Sequence, residues 1–550
     1  MGGGDTILSS PEASYRQVRT LLKMAFGGGV SLRRFVGVLV VGLLAGFPAW
    51  AQDKPDPKNG PVTPPVLQSG ETTLKVETLL TKKQETDLLA DSETILKFVS
   101  KDTGLAIKKP VKKVFINRAE VNKELREKFD EDKGNKRMER SELVLKKFGL
   151  LDRDFNLRPF LLSLLTEQIA GFYDNKTKTM NLLDWVPIEE QKPVMAHELT
   201  HALQDQKVDL EKWGDPEPEG VAKNVTEDNL HISTDEAGTV REAVLEGQAM
   251  VSFADHMIDE QGAHGKTLKD FPELGEKLSE GAGDEADSPV LARAPLVLQQ
   301  ALLFPYTSGL AFEQAALIQG GTQRAFTGML ENPPTSSHEI LHPVAYLAHE
   351  AQPVMLLPDI HPTLKTAGYE PYDVGVMGEL DVRMTAELFG GKPLAEALAP
   401  AWDGGVYYAA QRTSASEAEK HTTASIAFVY LSRWKNADSA RSFLRVFEEE
   451  MPRQYNGLKR RNADEKDEDE RVYSTREGDV VLHLKGSTVW VSEGFEIALS
   501  QKLEDMIEGA QGSGPMMTAK TASHVVTGGE LTGGLVGALG DMGMMRVGLR

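Results

Sequence analysis

The sequence predicts an α+β protein with a mainly helical first unit, carrying a small edge sheet, and a smaller α+β unit behind it. Three observations carry this expectation. Residues 193–210 and 240–258 hold apolar side chains at helical spacing. Residues 111–116 and 169–180 read as a strand and a hairpin, the latter turning at Asp174-Asn175. Beyond about residue 420, a strand-like run, a helical run and a second hairpin follow in order.

Taken along the chain, Arg33 and Arg34 precede an apolar run over residues 35–47 that ends in Ala49-Trp50-Ala51. A helix needs about 20 apolar residues to span a bilayer, so this run reads as a signal peptide over residues 1–51. Phe35 directly after the arginine pair favours ordinary secretion over twin-arginine export. Residues 52–80 hold Pro55, Pro57, Pro61, Pro64 and Pro65 among polar residues and read as an extended linker. The first folded unit is expected over 81–345, with helical stretches at 120–129 and 141–148 between its strands. A C-terminal helical and α+β region is expected over 346–510: a strand at 424–434, a helix at 437–451, and a hairpin at 480–491 turning at Lys485-Gly486-Ser487. Residues 511–550 are rich in Gly and Met and read as a flexible tail.

Composition excludes several function classes. The chain has no cysteine, which rules out disulfide staples, cysteine nucleophiles, iron–sulfur clusters and Cys-type zinc fingers. Any metal must be held by His, Asp, Glu or backbone oxygen. The net charge of -21 argues against nucleic acid, because only short lysine clusters such as Lys108-Lys109 and Lys112-Lys113 occur. No stable membrane span is expected once the signal is removed.

The chemistry-bearing motif is His197-Glu198-Leu199-Thr200-His201. Four residues make about one helical turn, so both imidazoles reach one zinc ion while Glu198 faces the open coordination position. Met195, Leu199, Ala202 and Leu203 form the apolar stripe that would seat such a helix. Asp205, one turn past His201, is a candidate to fix a ligand tautomer. A second match exists at His338-Glu339-Ile340-Leu341-His342. Pro333-Pro334 stands before it and Pro343 directly after it, so no apolar helix carries it and His342 is pushed from helical geometry. The first match is therefore taken as the zinc site.

A catalytic zinc site takes a third protein ligand. Residues 240–258 form a second amphipathic helix on which Glu246 lies at the edge of the buried stripe, where an unpaired carboxylate is costly. Glu242, four residues earlier on the same face, is a supporting acceptor or the ligand itself; the plain alternative is that both are solvated charges. His231 and His256 read as surface residues.

These residues resemble the gluzincin metallopeptidases, in which a helical HExxH is followed by a second helix supplying a glutamate. The segment Leu245-Glu246-Gly247-Gln248-Ala249 is similar to the Glu-Gly-x-Ala segment of that clan, found in aminopeptidase N-like enzymes and clostridial collagenases. The resemblance implies a zincin-like domain, Glu246 as third ligand and one zinc ion per chain. His201 and Glu246 are separated by 44 residues, so an insertion between the helices is expected. The chain is also similar to a group of exported bacterial metalloproteins over about residues 165–345. The shared blocks are Gly171-Phe172-Tyr173-Asp174, His197 through Gln206, Glu246-Gly247-Gln248-Ala249, Phe304 through Gly309, and Pro333 through Ser337 with Ile340-Leu341-His342-Pro343. In that group the last block lacks a full second HExxH.

The implied activity is hydrolysis of peptide bonds outside the cytoplasm, with Glu198 as general base and a peptide or protein as substrate. Tyr306 and His342, in the later blocks, are the candidates to stabilise an oxyanion. Two other readings stand beside it: a zinc amidohydrolase of the cell envelope, and an exported zinc-binding protein without turnover. Glu198 argues against the last, since a purely structural site needs no base beside its ligands.

Overall fold

The computed structural model describes residues 79–129, 132–169, 171–214, 220–280 and 289–511. The expected signal peptide, nearly all of the linker and all but the first residue of the tail lie outside these. Among the described residues no helix is long and apolar enough to cross a membrane. The chain is mixed α+β, mainly helical in its first part, with a large sheet in its C-terminal part.

Helix α1 (Lys82–Thr103) starts at a capping box in which Thr81 and Gln84 satisfy each other's backbone N–H groups, and it buries Leu88, Ile95, Leu96 and Val99. Three short strands follow as a small sheet: β1 (Lys112–Ile116), β2 (Gly171–Asp174) and β3 (Thr179–Leu183). The order is β1-β3-β2, with β1 parallel and β2 antiparallel to β3, so β2 is an outer strand. Both expected strand regions are present, the hairpin running on to Leu183.

Helix α2 (Ile188–Val208) carries the first HExxH and starts before Pro193, which falls inside it. Its apolar stripe is fully enclosed, with Met195, Leu199, Ala202 and Leu203 all buried. Helix α3 (Ala237–Glu260) carries Glu242 and Glu246, and almost its whole circumference is buried. Against it lies α4 (Leu296–Gln323), apolar nearly all round. The α3–α4 crossing depends on two glycines. A Cβ at Gly247 would lie 2.3 Å from the Gly309 carbonyl oxygen, and one at Gly309 would lie 2.2 Å from the Ala243 carbonyl oxygen. Both obstacles are backbone, which cannot swing aside as a side chain can. Gly309→Ala is therefore expected to cost about 1–3 kcal/mol, measured as lowered urea and thermal midpoints; wild-type midpoints would contradict this crossing.

The short helix α5 (Ser337–Leu341) closes the helical part, and strand β4 (Tyr369–Val376) and helix α6 (Glu379–Gly390) open the C-terminal part. Strands β5 (Trp402–Arg412) and β6 (Ile426–Trp434) come next, then helix α7 (Ala437–Gln454). Strands β7 (Lys459–Arg460), β8 (Glu470–Thr475), β9 (Gly478–Lys485) and β10 (Thr488–Glu493) precede helix α8 (Ile497–Gly509). The seven strands form one antiparallel sheet in the order β4-β5-β6-β10-β9-β8-β7. Along β5, Tyr407 and Ala409 enter one apolar cluster while Val406, Tyr408 and Ala410 enter another, so both faces are covered.

The region expected over 346–510 holds this whole sheet, whose first two strands precede the one expected at 424–434. The sheet starts at Tyr369, and its inner face is completed from the first part of the chain. Phe148 packs on Tyr407, Phe428 and Tyr430 at ring-centroid distances of 5.6, 4.6 and 5.9 Å. Buried Lys147 pairs with Glu477 at 3.0 Å, and Arg153 reaches the same carboxylate. The core therefore runs unbroken from the helical part into the sheet.

Candidate metal centre

Helix α2 presents His197 and His201 one turn apart, and α3 brings Glu246 to them. His197 Nε2 lies 2.9 Å and His201 Nε2 3.6 Å from the same atom, Glu246 Oε2. Bonds of about 2.0–2.1 Å in a tetrahedral site set ligand atoms roughly 3.3 Å apart, so these spacings are those of a donor set around one ion. The other carboxylate oxygen, Glu246 Oε1, is buried with no hydrogen-bond partner. An unsatisfied buried carboxylate oxygen is costly unless a cation meets it. With two imidazoles, one carboxylate and no thiolate, the residues fit zinc.

Supporting bonds orient the ligands. Gln204 donates to the carbonyl of Leu245 at 3.0 Å and to Gln248 Oε1 at 2.9 Å, which turns its own oxygen toward His201 Nδ1 at 2.8 Å. His201 thus carries its proton on Nδ1 and aims the Nε2 lone pair at the centre. Gln248 in turn donates to the carbonyls of Ala325 and Phe326. The expected tautomer-fixing residue, Asp205, is engaged elsewhere: it accepts from Tyr173 Oη at 2.7 Å and from Lys178 Nζ at 2.8 Å, tying β2 to the end of α2. Adjacent helix positions diverge by about 100°, which is why Gln204 and not Asp205 meets the ring.

Glu242 is as buried as Glu246 but is not among the three converging residues. The alternative of two solvated charges fails on that burial. His231 and His256 are also buried, contrary to the surface expectation, and His256 sits edge-on to Phe98 at 5.3 Å. His231 lies on the preceding helix Val225–Thr234, and His256 on α3, which is covered on nearly every side.

Of the two oxyanion candidates, Tyr306 is brought to the centre. The glycine crossing holds α4 against α3, and the Tyr306 ring stacks on His197 with centroids 6.2 Å apart. His342 is not gathered there: its Nε2 pairs with Glu379 Oε1 at 2.8 Å. The second HExxH thus has a glutamate of its own, which sequence reading missed. Its helix is nevertheless as short as the flanking prolines predicted. A third His/Glu cluster, Glu470, His483 and Glu504, is already neutralised by Lys466 and Lys485, whose ammonium groups lie 2.8 and 3.1 Å from Glu504. It is an ion-pair network.

Burial disfavours the charged form of His201, but the Glu246 carboxylate outweighs this and raises its pKa. Burial likewise pushes Glu246 up, and His201 and His197 together overcome that and hold it well below the usual carboxylate range. Without metal, the Glu246 carboxylate favours a second proton on the His201 ring. That pairing stabilises the fold below the ordinary histidine pKa, and its contribution fades as pH rises through the raised one. An incoming cation must displace the same proton. Zinc affinity is therefore expected to climb as pH rises through and above the ordinary histidine range, with proton release on binding. Calorimetric titrations in buffers of different ionisation enthalpy read this directly, and pH-independent binding would refute it.

Comparison with protein-family models, curated proteins and solved structures finds no match to this chain.

Proposed function

We propose that the chain is an exported zinc metallopeptidase with His197, His201 and Glu246 as ligands and Glu198 as general base. The observation that carries this reading is the convergence of both HExxH imidazoles on one oxygen of a glutamate from a second helix. Zinc held there would supply a Lewis acid that lowers the pKa of water at its open position to about 7 and polarises a carbonyl. Glu198, between the two ligands in sequence, takes the water's proton and returns it to the leaving amine. Tyr306, beside His197, is the side chain proposed to donate to the developing oxyanion. Strand β2 supplies the peptide-binding edge. A Cβ on its Gly171 would lie 3.9 Å from Glu198 Cγ, and β2 pairs with no strand other than β3 among the described residues. An extended substrate laid along β2 would pass the base with its backbone hydrogen-bonded.

One observation favours the second reading, zinc binding without turnover. His197, Glu198, His201 and Glu246 are only 2, 5, 1 and 0 % exposed, so a substrate needs the cover over the centre to move. A digest of a broad peptide library by the zinc-loaded full chain, with metal content measured on the same sample, separates the two. Discrete cleavage products abolished by a chelator are expected. A chain that holds zinc at this centre and cuts nothing would instead be a binding protein.

A further inference from the structure

We propose that His338, His342 and Glu379 form a second binding site, for a divalent transition cation of the zinc class, which clips the helical part of the chain to the C-terminal sheet. The inference does not depend on the peptidase reading.

The site is assembled from two elements, with Glu379 lying 41 residues after His338 and 37 after His342. Ser336 caps α5, its hydroxyl accepting from the Glu339 backbone N–H at 3.4 Å, and α5 presents His338. Pro343 forces His342 out of the helix, to φ -125° and ψ 74°, yet its N–H still bonds the His338 carbonyl at 2.8 Å. The two rings therefore stand together, with centroids 4.5 Å apart. Glu379 opens α6 directly behind strand β4. One of its oxygens meets His338 Nδ1 and the other lies 2.8 Å from His342 Nε2. The Glu379 side chain is 3 % exposed, whereas that of His342 is 36 % exposed, so the cluster has a closed side and an entry side. Two imidazoles and a carboxylate with room for water are a zinc-type donor set; calcium and magnesium would require oxygen ligands throughout.

The surroundings call for positive charge. Glu236, at the start of α3, accepts from the Ser337 backbone N–H at 2.9 Å and from its hydroxyl, and that hydroxyl accepts from the Leu380 N–H at 3.2 Å. Gly378 leaves room for this junction, since a Cβ there would lie 2.1 Å from Glu236 Oε1. Asp381 is buried beside them and caps α6 through the Gly378 N–H at 2.8 Å. Among the described residues, no lysine or arginine forms an ion pair with Glu236, Glu379 or Asp381. Several carboxylates enclosed in one junction with two histidines as the only basic partners are costly, and a divalent ion would offset that cost.

The role is structural, because the residue in the base position of this motif is occupied. Glu339 accepts from the Thr335 N–H at 2.6 Å and the Thr335 hydroxyl at 3.0 Å, closing the turn before α5.

The test is zinc stoichiometry of the full chain, stripped of metal, reloaded with zinc and desalted. Two ions per wild-type chain are expected, one each for His342→Ala and Glu379→Gln, and one for His197→Ala. Loss of a direct ligand should weaken the second ion beyond the roughly 10–100-fold that loss of a supporting residue costs. Zinc should also raise the melting temperature of His197→Ala but not that of His197→Ala/His342→Ala. Circular dichroism checks folding, and half-exposed His342 gives the milder variant should Glu379→Gln misfold. If folded His342→Ala keeps the wild-type zinc count, the clip is overturned. A single wild-type ion lost in His197→Ala alone would overturn it too while sparing the peptidase site. A single ion lost in His342→Ala alone would support the clip and remove the metal from the proposed active site.

Discussion

Glu198→Gln is expected to keep its zinc and lose about 100- to 10,000-fold in turnover of whatever peptide the wild type cleaves. The substitution keeps the shape of the side chain, leaves His197, His201 and Glu246 in place, and removes only the ability to take a proton. Because that ability matters in the transition state and not in binding, kcat and kcat/KM should fall together with KM little changed. Metal analysis on the assayed sample is essential to the comparison, since a lost ion would imitate a lost base. Unchanged cleavage in a zinc-replete variant would sink the mechanism.

The second large effect is expected at Glu246. Glu246→Gln removes the negative charge on which both imidazoles converge and replaces a charged ligand with a weak neutral one. Zinc affinity should fall by well over 100-fold. Glu242→Gln, one helical turn away and outside the converging set, should fall no further than the roughly 10–100-fold typical of a supporting residue. Competition against a chromophoric chelator gives both constants on one scale. A larger loss at Glu242 would reverse the assignment.

What could be read from sequence follows from how local each signal is. The α2 motif was legible because its two histidines and its apolar stripe repeat within one helix. Glu246 was legible because its segment combines helical periodicity with a recognisable neighbourhood. Strand β4 was missed: Pro371 interrupts it, and the register with β5 shifts between Pro371 and Asp373. Strand β5 was missed for a different reason, since Asp403-Gly404-Gly405 at its start and Ala409-Ala410 within it are poor strand formers. With β4 went Glu379, and without Glu379 the second HExxH looked like two stray histidines. The sequence prediction that Pro343 breaks the helix at His342 agrees with the structure, but a broken helix still delivers both rings to one carboxylate. Tyr306 lies on a helix apolar all round, so no stripe announced which way it would face.

The lodging of Phe148 and Lys147 in the C-terminal sheet sets a clock on biosynthesis. Lys147 and its partner Glu477 are 330 residues apart. At roughly 5–20 residues per second, a ribosome needs about a quarter of a minute to a minute to make that stretch. The aromatic partners of Phe148 come earlier, on β5 and β6, and until they are made the apolar face of the helical part has nothing to close it. A nascent chain of this kind stays incompletely folded for most of its synthesis. It also means that truncation anywhere before β6 would strip Phe148 of Phe428 and Tyr430, so the chain is expected to mature as one piece and not by shedding its C-terminal sheet.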